Sequence, residues 1–189
     1  SADEAPETHD HFDIVTAHGE IVRFNDPRRF GSLLWAGTDP NQHPLLSGLG
    51  PEPLEDDFTG VYLRQSARSR RIAIKHHIMN SKIVAGVGNI YANEAMFRAG
   101  IHPARQAGRI ALPRMEKLVS EIKAVLEDAI RQGGTTLRDY RNSDGKPGYF
   151  KQQLLVYERG GEPCKRCNTR LKKIVQGQRA TYYCKNCQR

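Results

Sequence analysis

No cysteine occurs before position 164, so no disulfide can staple the greater part of this chain. No apolar run approaches the ~20 residues that cross a bilayer, which excludes a transmembrane helix. Neither an internal repeat nor a low-complexity tract is present, which excludes a solenoid or array. Acid is scarce where base is plentiful. Residues 61–150 hold 16 Lys/Arg against 7 Asp/Glu, net +9, and residues 151–189 hold 10 against 2, net +8. Residues 1–60 reverse the balance, with 3 against 12, net −9. The formal net charge of +8 therefore hides two strongly cationic segments. Such a distribution is the electrostatic footprint of a polyanion binder. A length of 189 residues with 38% hydrophobic content suits one or two domains with real cores.

The cysteines that are present lie together. Cys164-Lys165-Arg166-Cys167 and Cys184-Lys185-Asn186-Cys187 form two C-x2-C pairs. Four thiolates in two such knuckles match tetrahedral zinc, each pair presenting two sulfurs to one metal. The competing reading is two disulfides in a secreted module, for which the loops are short and strained. Zinc predicts reduced cysteines and hence a cytoplasmic setting. A basic zinc ribbon points to nucleic acid.

Along the chain, residues 11–16 and 20–25 are β-rich runs joined by a turn containing Gly19, a hairpin signal. Phe30–Trp35 reads as a third strand. The chain opens on Ser1, as though within a domain, and a sheet this small needs further strands or a helix on its apolar face. Residues 36–58, rich in Pro, Gly, Asp and Glu, read as a linker. Thr59 is the expected N-cap of a helix running through Arg64 to Arg71 and on through Met79. A turn at Ala85–Gly88 precedes Asn89, the expected N-cap of a helix ending at Arg98. A further helix is predicted from Pro113 to Gly133, with Leu118, Val119, Ile122, Leu126, Ala129 and Ile130 on its core face. Residues 135–150 read as a long polar loop. Leu154–Tyr157 reads as a strand. Arg170–Val175 and Arg179–Tyr183 flank Gln176-Gly177-Gln178 as a ribbon hairpin with Arg179 at its tip.

Four ordered motifs then coincide: Asp26-Pro27-Arg28-Arg29-Phe30-Gly31, Gly86-Val87-Gly88-Asn89-Ile90-Tyr91-Ala92, Ser143-Asp144-Gly145-Lys146-Pro147-Gly148-Tyr149-Phe150 and Gln178-Arg179-Ala180-Thr181-Tyr182-Tyr183-Cys184. With the cysteine pairs, they make the chain resemble bacterial formamidopyrimidine-DNA glycosylase from about His9 to the C-terminus. The resemblance implies an α+β fold of three parts. Residues 1–50 would be the C-terminal part of an N-terminal β-sandwich plus linker. Residues 51–150 would be a helix-two-turn-helix domain whose loop 135–150 recognises the lesion, and residues 151–189 a zinc-ribbon DNA-binding module. The implied activity is a base-excision repair glycosylase and abasic-site lyase acting on 8-oxoguanine and formamidopyrimidines. The implied cofactor is one structural zinc ion held by Cys164, Cys167, Cys184 and Cys187. The implied partner is duplex DNA with an oxidised purine or abasic site, bound by a monomer associated with the bacterial nucleoid.

The resemblance also implies site roles. Arg28 would enter the space left by the extruded base and Phe30 would wedge into the opposite strand, as base flipping requires; the plainer alternative makes Phe30 a sheet-core residue and Arg28 a surface cation. Asn89, Arg70, Lys75 and His9 are candidate phosphate contacts. Glu94, one turn beyond Asn89, is a candidate for positioning the active centre. Arg179 would grip phosphates beside the lesion and assist the second, δ-eliminating strand cleavage. The family's Pro-Glu-Leu-Pro-Glu opening, which carries the amine nucleophile and general acid, has no counterpart here, and Pro6-Glu7-Thr8-His9 does not match it. Residues 1–189 alone are therefore expected to bind DNA without excising a base. The rivals are an endonuclease VIII-like glycosylase for oxidised pyrimidines and a non-catalytic zinc-ribbon DNA-binding module.

Overall fold

The computed structural model describes residues 5–135 and 149–189. The chain divides into two units, Ser1–Ser47 and Gly48–Arg189.

In the first unit, β1 (Asp10–Val15) pairs antiparallel with β2 (Ile21–Asn25), as the alternating runs and intervening Gly19 predict. Phe12 stacks on Phe24 with ring centroids 4.8 Å apart, and Arg23 Nε meets Asp13 Oδ1 at 2.8 Å across the strands. Ile14, Val15 and Val22 remain exposed. The third strand expected at Phe30–Trp35 does not form: the segment is irregular, with Leu33, Leu34 and Trp35 exposed. Its β-prone residues lack a neighbouring ladder among the described residues, and a strand exists only by pairing.

The second unit is built on helices. Thr59 caps α1 (Gly60–Ser66), its Oγ1 accepting from Tyr62 N at 3.1 Å, as expected. The single helix predicted from there to Met79 is instead broken into α1 and α2 (Ile74–Ile78). Between them Ser69 takes a left-handed φ of 61°. The chain then runs extended beside residues 105–108, with Ile74 N donating to Arg105 O at 2.8 Å and Ala107 N to Ile72 O at 2.9 Å. Gly108 permits this approach, because a Cβ there would stand 2.8 Å from Arg70 O.

The helices α3 (Asn89–Arg98) and α4 (Leu112–Arg131) match their predicted spans. The N-cap of α3 is Gly88, however, and Asn89 is its first helical residue. α4 packs against both α1 and α3, burying Leu118, Val119, Ile122, Leu126 and Ala129 as expected, with Met115 and Val125 beside them. Ile130 departs from the expectation and is 66% exposed, because the apolar period outruns the core by one position at the last turn. Phe58, Leu63, Ile74, Ile78, Met96 and Phe150 are among the other residues of this core.

The predicted strand Leu154–Tyr157 is irregular chain. Its backbone donors go to a side chain, described below, rather than to a ladder. β3 (Lys172–Gln176) and β4 (Arg179–Tyr183) form the ribbon hairpin, turning through Gly177 and Gln178, both at positive φ. The loop expected at 135–150 falls, for residues 136–148, outside the described residues.

Candidate nucleic-acid interface

The four sulfurs of Cys164, Cys167, Cys184 and Cys187 lie within 4.8 Å of one another, and none is in a disulfide. Measured separations are 3.9 Å for Cys164–Cys187, 3.4 Å for Cys167–Cys184 and 3.4 Å for Cys167–Cys187. Sulfurs at ~2.3 Å from one zinc ion form a tetrahedron with edges of about 3.8 Å, so the donor set fits that metal in type, number and spacing. Hydrogen bonds led by the Thr169 side chain hold the Cys167 thiol down to about 5, whereas burial pushes the Cys184 and Cys187 thiols up. A central dication is what lets such a crowded set become thiolates together. All four positions belong to protein sulfur, which leaves no coordination position for catalytic water.

The ribbon is fastened to the helical core through its second strand. Lys75, fully buried in α2, donates through Nζ to Thr181 Oγ1 at 2.6 Å and Ala180 O at 3.3 Å. Burial, and secondarily the Arg179 charge, lower its pKa to about 8. In α3, Asn93 Oδ1 accepts from Tyr182 N at 2.7 Å, and its Nδ2 donates to Asn89 O at 2.7 Å. Asn89 Nδ2 donates to Ala180 O at 3.1 Å and Tyr157 Oη at 3.3 Å. Glu94 is fully buried, and its carboxylate accepts from Leu155, Val156 and Tyr157 N, each at 2.9 Å. Arg166 lies 4.6 Å over the Phe97 ring and donates to Phe97 O and Arg98 O. These bonds tie β4 to α2 and α3, and Arg179, the first residue of β4 after the hairpin turn, is exposed.

Asn89 is thus not the expected cap. Its amide joins α3 to the strand that carries Arg179. Lys75 likewise acts on protein here, with its ammonium inside. Glu94 organises the chain entering the ribbon rather than facing an open centre. Arg70 is exposed at the turn before α2. Sequence reasoning missed Asn93, Thr181, Tyr157 and Phe97; the legible signal was the polar pair Asn93-Glu94 on the inward face of an otherwise apolar helix.

In the first unit, Asp26 builds the turn that holds Arg28 and Phe30. Its Oδ2 accepts from Gly31 N at 2.6 Å and its Oδ1 from Arg28 N at 3.1 Å. These bonds, the Gly31 one foremost, lower its pKa. The Arg28 guanidinium lies 4.8 Å over the Phe30 ring, and Phe30 is 80% exposed, so it is no core residue of this hairpin. His9 is exposed at φ 83°, its carbonyl accepting from Asp26 N at 3.0 Å.

Comparison with known proteins matches this arrangement to two families. Residues 49–141 match the formamidopyrimidine-DNA glycosylase H2TH domain, and residues 161–189 the zinc finger found in FPG and IleRS. The chain is 57% identical over 187 residues to formamidopyrimidine-DNA glycosylase of Photobacterium damsela subsp. piscicida, covering 99% of this chain and 69% of that relative. It is 56% identical over 188 residues to the Marinobacter nauticus enzyme of the same name, covering 99% and 69%. Among solved structures, the MutM (FPG) protein of Thermus thermophilus superimposes with a TM-score of 0.87 at 37% identity, over 97% of this chain and 70% of that one. The Lactococcus lactis FPG bound to Fapy-dG-containing DNA gives 0.86 at 32%, over 99% and 68%. The chain belongs to the formamidopyrimidine-DNA glycosylase family.

Proposed function

We propose that this protein binds damaged duplex DNA and serves base-excision repair as a glycosylase with abasic-site lyase activity on 8-oxoguanine and formamidopyrimidines. Residues 1–50 supply the base-flipping turn, residues 51–150 the helix-two-turn-helix element and lesion loop, and residues 151–189 the zinc ribbon. Arg28 fills the vacated stack and Phe30 wedges the opposite strand. His9, Arg70 and Asn89 serve the phosphates, Lys75 through the hairpin it holds, and Arg179 grips the backbone beside the lesion and assists δ-elimination. The zinc ion is structural. The protein works in the cytoplasm at the nucleoid, in keeping with its reduced cysteines and with the described residues, where no helix is long and apolar enough to cross a membrane.

One observation carries this reading: the zinc-held hairpin is tied by Lys75 to α2 and by Asn89 and Asn93 to α3, and it carries an exposed guanidinium, Arg179, beside its turn. The test is binding and excision on matched duplexes holding 8-oxoguanine opposite cytosine, an oxidised pyrimidine, or no lesion, with the proline-led opening supplied as a separate segment. Preferential binding and excision at 8-oxoguanine is expected. Preference for the oxidised pyrimidine, or binding indifferent to all three, would overturn the substrate assignment.

A further inference from the structure

Between Asp57 and Glu116 the sequence contains ten Lys/Arg and a single acid, Glu94. That acid is buried and bonded to three backbone amides, so it neutralises nothing at the surface. The backbone pairing described above lays residues 70–74 beside residues 105–108. Arg68, Arg70 and Arg71 on one segment and Arg105 and Arg109 on the other are all exposed. Among the described residues, none of these five side chains makes a hydrogen bond or ion pair; the ion pairs present use other cations. The gathered charge reaches inward: His77 sits below its usual range through burial first and the Arg70 charge second.

We propose that Arg68, Arg71, Arg105 and Arg109 extend the phosphate contact assigned above to Arg70 into a second duplex-DNA contact, gripping backbone phosphates of the helix that flanks the lesion. The inference rests on the DNA-binding reading above and extends it to DNA beyond the damaged nucleotide. Planar guanidinium groups with no carboxylate partner among the described residues suit phosphate oxygens, and the contact is blind to sequence. Distance favours one continuous ligand. Arg71 stands four residues before Lys75, a contour of at most about 14 Å, and Lys75 touches the strand that carries Arg179. A DNA strand offers a charge about every 3.4 Å, so both faces lie within reach of one duplex.

The test replaces Arg68, Arg71, Arg105 and Arg109 with Gln together and compares the salt dependence of binding to two duplexes. One is about 10 base pairs, centred on an abasic-site analogue; the other is about 40 base pairs around the same analogue. Each lost phosphate contact flattens the log–log salt slope by about 0.9. The variant is expected to lose roughly 2–3 units of slope on the long duplex and less than ~0.5 on the short one, with an unchanged melting temperature. Replacing the same four with Lys should retain most of the slope. An unchanged slope on the long duplex overturns the proposal. So does selective loss of binding to anionic lipid vesicles or to RNA while long-duplex binding persists. Failure of the wild-type protein to prefer the abasic duplex counts instead against the repair reading, and leaves the long-duplex comparison decisive for this face.

Discussion

Replacing Glu94 by Ala should loosen the zinc ribbon from the helical core and lower the stability of residues 48–189 by several kcal/mol. The carboxylate receives three backbone N–H groups at 2.9 Å, from Leu155, Val156 and Tyr157, and is itself fully buried. A buried donor left unsatisfied costs about 1–3 kcal/mol, so three such losses with partial relaxation cost roughly 3–6 kcal/mol. At about 3 °C per kcal/mol for a unit of this size, the melting temperature should fall by roughly 10–20 °C. Glu94→Gln sharpens the test. Oε1 takes Val156 and Tyr157 while Oε2 takes Leu155, so the amide keeps two bonds and sets an NH2 against the third N–H. Its cost should be about 1–3 kcal/mol, between wild type and Ala. Thermal unfolding followed by circular dichroism, with released zinc read by a chromophoric chelator, measures both quantities at once. Melting of Glu94→Ala within about 2 °C of wild type, or the order of the two variants reversed, refutes the reasoning.

Other expectations follow from the same contacts. Freshly purified protein should contain one zinc ion per chain by metal analysis, and its removal should unfold the β3–β4 hairpin and abolish DNA binding, since site assembly and folding are coupled in small metal modules; zinc-free protein with intact amide protection in the hairpin would contradict this. Arg179→Ala should weaken DNA binding independently of sequence and flatten the salt slope by about one unit, measured by titration across salt concentrations. Lys75 gives a pH signature. Burial lowers its pKa from 10.5 to about 8, so between those values the unfolded chain binds more protons at this group than the folded one. Its charge-burial penalty is complete below pH 8 and is relieved as pH rises toward 10.5, so its contribution to stability increases across that window. Relative to Lys75→Met, wild-type protein should gain urea resistance from pH 8 upward; parallel curves for the two proteins would remove Lys75 as the source.

Features set by neighbouring residues were legible in the sequence. The C-x2-C pairs announced their metal, Thr59 its cap and Gly177-Gln178 its turn, and Pro113 and Gly133 marked the ends of α4 to within two residues. Features set by distant residues were not. Phe30–Trp35 and Leu154–Tyr157 have β-prone composition, yet a strand depends on what lies alongside, and for the second segment that neighbour is the Glu94 carboxylate of a helix. The break between α1 and α2 comes from residues 105–108, whose approach Gly108 allows. Asn89 looked like a cap because caps and first-turn residues share composition; its real partners, Ala180 and Tyr157, lie 91 and 68 positions away in sequence. For the candidate interface, the place of Arg179 beside the hairpin turn was legible in the sequence, whereas the contacts by which Lys75, Asn89 and Asn93 hold that hairpin became visible only in three dimensions.

The ribbon's small apolar cluster draws Phe97 from α3 in among Val156, Leu171, Tyr182 and the buried cysteines. Two strands and a metal would otherwise leave Tyr182 and Leu171 with a wet flank. In this chain the module is therefore seated on α3: recombination between relatives should transmit α3 and the ribbon together, and a chimera joined between residues 98 and 154 inherits a finger whose hydrophobic seat belongs to someone else.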